Sequence, residues 1–97
     1  MFKEKNKIVA WLNEYNIKNY KLVADDKYGF IVDVPGDVCL SDNQLKHIPV
    51  KFNIVNGNFD CNNNELTSLD FCPKLVNGYF SCSFNKLASL EFFSRNN

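Results

Sequence analysis

The chain predicts an α+β domain: a small solenoid of about three 21-residue units with parallel strands, preceded by an α-helix and a β-hairpin that cap its N-terminal end. Three observations carry this expectation. Gly36, Gly57 and Gly78 stand 21 residues apart, Ile8, Trp11, Leu12 and Tyr15 recur at helical spacing, and two alternating apolar runs flank a polar turn before Pro35. With 97 residues, 45% of them apolar and 14% aromatic, the chain can fill one core, so a single domain over 1–97 is expected.

The first element is a capping helix over 1–16. Its residues at i, i+3, i+4 and i+7 form one apolar face, Asn16 is a plausible stop, and Lys3, Lys5 and Lys7, broken by Glu4 and Asn6, read as a solvated face. A hairpin over 17–35 follows, because Tyr20, Leu22 and Ala24 alternate, as do Tyr28, Phe30, Val32 and Val34, with Asp25-Asp26-Lys27 as the turn.

The units are then 36–56, 57–77 and 78–97, reading GDVCLSDNQLKHIPVKFNIVN, GNFDCNNNELTSLDFCPKLVN and GYFSCSFNKLASLEFFSRNN. Gly, Asn43/Asn64/Asn85 and Leu45/Leu66/Leu87 match throughout, while Val38/Phe59/Phe80 and Ile48/Leu69/Leu90 stay apolar. Val38 and Leu40, Phe59 and Cys61, and Phe80 and Cys82 alternate with polar residues, so each unit offers one strand with one buried face. The asparagine column falls at the turn after the strand, where an amide can satisfy unpaired backbone groups; the glycines fall at the opposite bend, which calls for positive φ or close backbone approach. A stack of such units exposes apolar columns at its ends. The helix and hairpin cover the first; after Leu90, Phe92 and Phe93 the other lacks an obvious cover and presents a strand edge.

The spacing apolar-x-apolar-x-x-Asn-x-Leu in a 21-residue period is the leucine-rich-repeat pattern. GNFDCNNNELTSLDFCPKLVN and GYFSCSFNKLASL resemble the short leucine-rich repeats of small bacteriophage and prophage proteins, and DVPGDVCLSDNQLKHIPVKFNIVNG resembles the lead-in that precedes them. The resemblance covers 36–97. It implies a leucine-rich-repeat fold, a non-enzymatic protein-binding role, and action on a bacterial host complex such as a CRISPR or other defence system. Cysteines in a leucine column, a shortened last unit and the small number of units depart from the pattern.

The residues themselves offer little catalytic chemistry. Cys61 and Cys82 occupy a position that calls for a small hydrophobe. Cys39, Cys61, Cys72 and Cys82 contain no C-x-x-C, and His47 stands alone on the far side of the turn from the Cys61 and Cys82 column. Neither a metal site nor a cysteine nucleophile with its base is therefore expected. No phosphate loop, nucleophile elbow or metal-binding His pair occurs, so no catalytic, cofactor or metal residues are assigned and an enzyme is not expected. A formal net charge of zero gives no bias toward nucleic acid or an anionic membrane. No apolar run approaches the ~18 residues of a membrane span. With no leader visible, free thiols in the cytoplasm are the expectation, and the resemblance to bacteriophage proteins implies that this is the cytoplasm of a bacterial host cell.

The outward strand positions remain: Asp37, Cys39 and Ser41, then Asn58, Asp60 and Asn62, then Tyr79, Ser81 and Ser83. The expected partner-binding face comprises Asp37, Ser41, Asn58, Asp60, Asn62, Asn63, Tyr79, Ser81, Ser83 and Phe84, with Tyr79 and Phe84 as aromatic anchors. Asn58, Asp60, Asn62 and Asn63 have no structural duty in this reading. The alternative is a self-associating structural protein, a homodimer that pairs through Tyr79, Phe80, Ser81, Cys82, Phe92 and Phe93.

Overall fold

A computed structural model of the chain describes residues 2–87. Helix α1 (Lys5–Glu14) turns Ile8, Trp11 and Leu12 inward. It begins after Glu4 without a side-chain cap and ends at Glu14 with Tyr15 as C-cap, and Asn16 beyond it turns the chain away at φ 58°. Its 10 residues are too few to be stable by propensity, so the packing of that face holds it.

Strands β1 (Lys21–Asp25) and β2 (Gly29–Val34) pair antiparallel. Asp25 closes their turn, its Oδ2 accepting the amides of Lys27 at 3.0 Å and Tyr28 at 2.9 Å. The remaining strands are β3 (Val38–Cys39), β4 (Lys51–Val55), β5 (Phe59–Asp60), β6 (Leu75–Val76) and β7 (Phe80–Ser81). They sort into a four-stranded mixed sheet, β1-β2-β4-β6, and a three-stranded parallel sheet, β3-β5-β7. The parallel registers of β3 with β5, β4 with β6 and β5 with β7 are set 21 residues apart, the period of the glycines, and β2 joins that step at Val34↔Val55 after a register shift from Val32↔Phe52.

The α+β class holds, but the expected leucine-rich-repeat solenoid of parallel strands, capped by helix and hairpin, is not what forms. Each unit was expected to offer one strand to one parallel sheet. Instead 36–56 and 57–77 each contribute two short strands to two different sheets, β3 and β4 from the first, β5 and β6 from the second. The hairpin is no cap either. Its strand β2 pairs directly with β4 and makes that sheet mixed, because Val34, Val55 and Val76 share the 21-residue step and β2 stands where a preceding unit would stand. Of the third unit, 88–97 lies outside the described residues, and with it Leu90, Phe92 and Phe93.

An aromatic column joins the layers. Trp11 lies 6.3 Å from Phe52 between ring centroids, Phe52 packs edge-on to Phe59 at 5.4 Å, and Phe59 stacks on Phe80 at 5.7 Å. Around it the core takes Val38, Leu40, Cys61 and Leu66 from one set of segments and Val32, Val34, Val50 and Val55 from the other, all buried. No helix of the described residues is long and apolar enough to cross a membrane.

Candidate functional site

The outward face of β3, β5 and β7 is built by three side-chain columns running across the strands. In the first, Asp37 Oδ1 accepts the amide of Asn58 at 2.8 Å, and Asn58 Oδ1 accepts the amide of Tyr79 at 2.9 Å. Glycine makes room for both bonds. A Cβ on Gly57 would collide with Asp37 Oδ1, and one on Gly78 with Asn58 Oδ1, with preceding backbone atoms at 2.7 Å in each case. Close approach, not positive φ, is thus what Gly57 and Gly78 supply.

The second and third columns interlock. Asp60 Oδ1 accepts the amide of Asn62 at 2.9 Å; Asn62 Oδ1 in turn accepts from Ser81 Oγ at 2.8 Å and from the Ser83 amide at 2.6 Å. Cys39 Sγ lies 3.3 Å from Ser41 Oγ. Asn58, Asp60 and Asn62 therefore do have structural duty, contrary to expectation, because a short polar side chain on a parallel ladder reaches a backbone amide nearby on its own strand or on the next.

The asparagine column closes the bend below this face. Asn64, 7% exposed, accepts the amides of Asn43 and Leu45 at Oδ1 and donates through Nδ2 to the carbonyls of Leu40, Cys61 and Asn62. Asn85 repeats the arrangement, accepting from Leu66 and donating to Cys61, Cys82 and Ser83. These bonds fix the residue before each asparagine in the left-handed region: Asp42 at φ 59°, Asn63 at 56° and Phe84 at 57°. Asp and Asn tolerate that conformation; for an aromatic residue it costs about 1–2 kcal/mol. Phe84 is also 80% exposed and Tyr79 59% exposed, so two aromatic side chains stand out of the third segment.

Of the expected contact residues, Asp37, Asn63, Tyr79, Ser83 and Phe84 are exposed, and Ser41, Asn58, Asp60, Asn62 and Ser81 half-buried. Of the self-association set, Cys82 is buried and Phe80 is stacked on Phe59, while Phe92 and Phe93 lie outside the described residues.

A cleft is lined by His47, Thr67, Ser68, Asp70 and Cys72 among others, residues that sequence reasoning did not bring together. The Asp70 amide donates to Ser68 Oγ at 3.1 Å. The neighbouring Cys61 thiol and burial both push the Cys72 thiol far up, away from the nucleophilic thiolate. Among the described residues His47 has no hydrogen-bond partner, and no group of three His, Cys, Asp or Glu is placed to hold a metal ion. The contact face is thus the better-built candidate. Compared with known protein families, with curated proteins and with solved structures, the chain has no match.

Proposed function

We propose that the chain is a non-enzymatic protein-contact module and that the outward face of β3, β5 and β7 is its contact surface. One observation carries this reading: Phe84 holds a left-handed backbone conformation suited to Asp or Asn, with its ring in solvent. The bend needs that backbone conformation, but an aromatic side chain strained there and left in solvent gives the fold nothing that Asp or Asn would not, and aromatic residues dominate the binding energy of interfaces. The resemblance of the unit sequences to small bacteriophage proteins directs the search for a partner to host complexes such as CRISPR effectors.

Phe84→Asn separates stability from contact. Asn stands at the equivalent position of the preceding segment, so the variant is expected to gain about 1 kcal/mol by relief of the left-handed strain, read as a higher urea midpoint. The same variant, and Tyr79→Ser with it, is expected to lose the proteins that tagged wild type captures from a bacterial lysate. Equal capture by all three chains would remove this face as the contact surface. Light scattering tests self-association separately: a concentration-dependent dimer that Tyr79→Ser dissociates would make the contact homotypic.

A further inference from the structure

Positive charge is missing from the strand segments of one face. None of the chain's 11 Lys and Arg residues falls in 36–42, 57–63 or 78–84, the segments that run through β3, β5 and β7, whereas Asp37, Asp42 and Asp60 do. Lysines lie elsewhere: Lys21 in β1, Lys51 in β4, Lys27 and Lys74 in the connections of that sheet, Lys5 and Lys7 in α1, and Lys46 and Lys86 in the turns beyond the strand segments. Among the described residues the ion pair is Lys86 with Glu65, at 3.3 Å, so no Lys or Arg there neutralises the three aspartates. Asp37 and Asp60 each commit Oδ1 to a backbone amide and keep the second oxygen for a partner. In the third segment the acidic positions become aromatic: Tyr79 follows Asp37 and Asn58 in one column, and Phe84 follows Asp42 and Asn63 in another.

A single side-chain type satisfies both halves of such a face. A guanidinium donates two parallel hydrogen bonds to a carboxylate and stacks flat on an aromatic ring, whereas an ammonium is a hydrated point charge that fits the ring less well. Neighbouring strands lie about 4.8 Å apart, so the step from the Asp60 strand to the Tyr79 strand is about one and a half residues of extended chain. Resting on the contact surface proposed above, we infer that its occupant is a segment of a protein partner carrying alternating arginines, one over Asp37 and Asp60 and another against Tyr79 or Phe84. Nucleic acid is disfavoured, since its phosphates would meet three carboxylates and no cation.

The test is fluorescence anisotropy of a labelled peptide, Arg-Ser-Arg-Ser-Arg-Ser-Arg, against the full chain, beside its lysine counterpart and a single-stranded oligothymidine. The arginine peptide is expected to bind at least about fivefold more tightly than the lysine peptide. The Asp37→Asn, Asp42→Asn, Asp60→Asn triple variant keeps every Oδ1 acceptor and removes only charge. Its urea midpoint is expected to hold, while peptide affinity drops at least about tenfold. Phe84→Asn is expected to weaken the peptide severalfold. Equal affinity for arginine and lysine, an indifferent triple variant, tighter oligothymidine or no peptide binding each overturns the inference. Lysate capture distinguishes the two proposals: if Phe84→Asn abolishes capture and the triple variant does not, the contact surface stands and the arginine chemistry fails.

Discussion

Cys39 is the exposed thiol of the chain, while Cys61, Cys72 and Cys82 are buried. The buried three form a group in which Cys61 touches both neighbours electrostatically; burial first and Cys61 second push Cys82 up to about 11. A disulfide-exchange reagent at pH 8 is therefore expected to titrate one thiol rapidly in the native protein and four in urea, and a native count above one would contradict the packing. Cys82 also links pH to stability. Its folded pKa lies above the ordinary 9.0, so the native state holds a proton that the unfolded chain releases. That stability is fully present below pH 9.0 and is lost as pH rises through about 11; the urea midpoint is expected to fall across this window, and to fall less in Cys82→Ala. The burial of Cys61 and Cys82 was legible from their place in a repeating column. The nearness of Cys72 was not, because no periodicity relates it to Cys61; only the folded turn between them does.

The glycine column is where element geometry and sequence meet most directly. Nothing lies within 4 Å of a Cβ built on Gly36, whereas at Gly57 the same atom meets backbone of Gly36 at 2.7 Å. Gly36→Ala is expected to be neutral or to stabilise by about 0.5 kcal/mol through the unfolded chain. Gly57→Ala is expected to destabilise by about 2–3 kcal/mol, by forcing the β3 and β5 segments apart. Thermal midpoints of the two variants check the contrast, and similar values would refute the close approach. The 21-residue period, the helix and the hairpin turn were readable from spacing alone. The second sheet was less so. Lys51–Val55 mixes buried Phe52 and Val55 with half-buried Asn53 and Ile54, so no clean alternation marks it as a strand, and β2 shares only Val34 with the repeat. Alternation also shows which side chains face outward, but not that Asn58 or Asn62 bonds to an amide 21 residues further on.

At the scale of the molecule, stability rests on the contact between sheets. Phe52 belongs to one and Phe59 to the other, and Trp11 and Phe80 extend their column to the helix and the third segment. Phe59→Ala empties the middle of it and is expected to cost about 3–5 kcal/mol. Trp11 fluorescence and far-UV circular dichroism should report one shared urea transition, at a lower midpoint in the variant; separate transitions would mean that the sheets unfold independently. The shared 21-residue step has a kinetic consequence as well. From β4 onward each new strand pairs with one 20 or 21 residues behind it, so these loop closures carry a similar entropy cost and none waits for the far end of the chain. The hairpin, assembled from local contacts, is already a template when β4 emerges from the ribosome, and β4 is one for β6. Folding can thus keep pace with synthesis, in the order in which the chain is made.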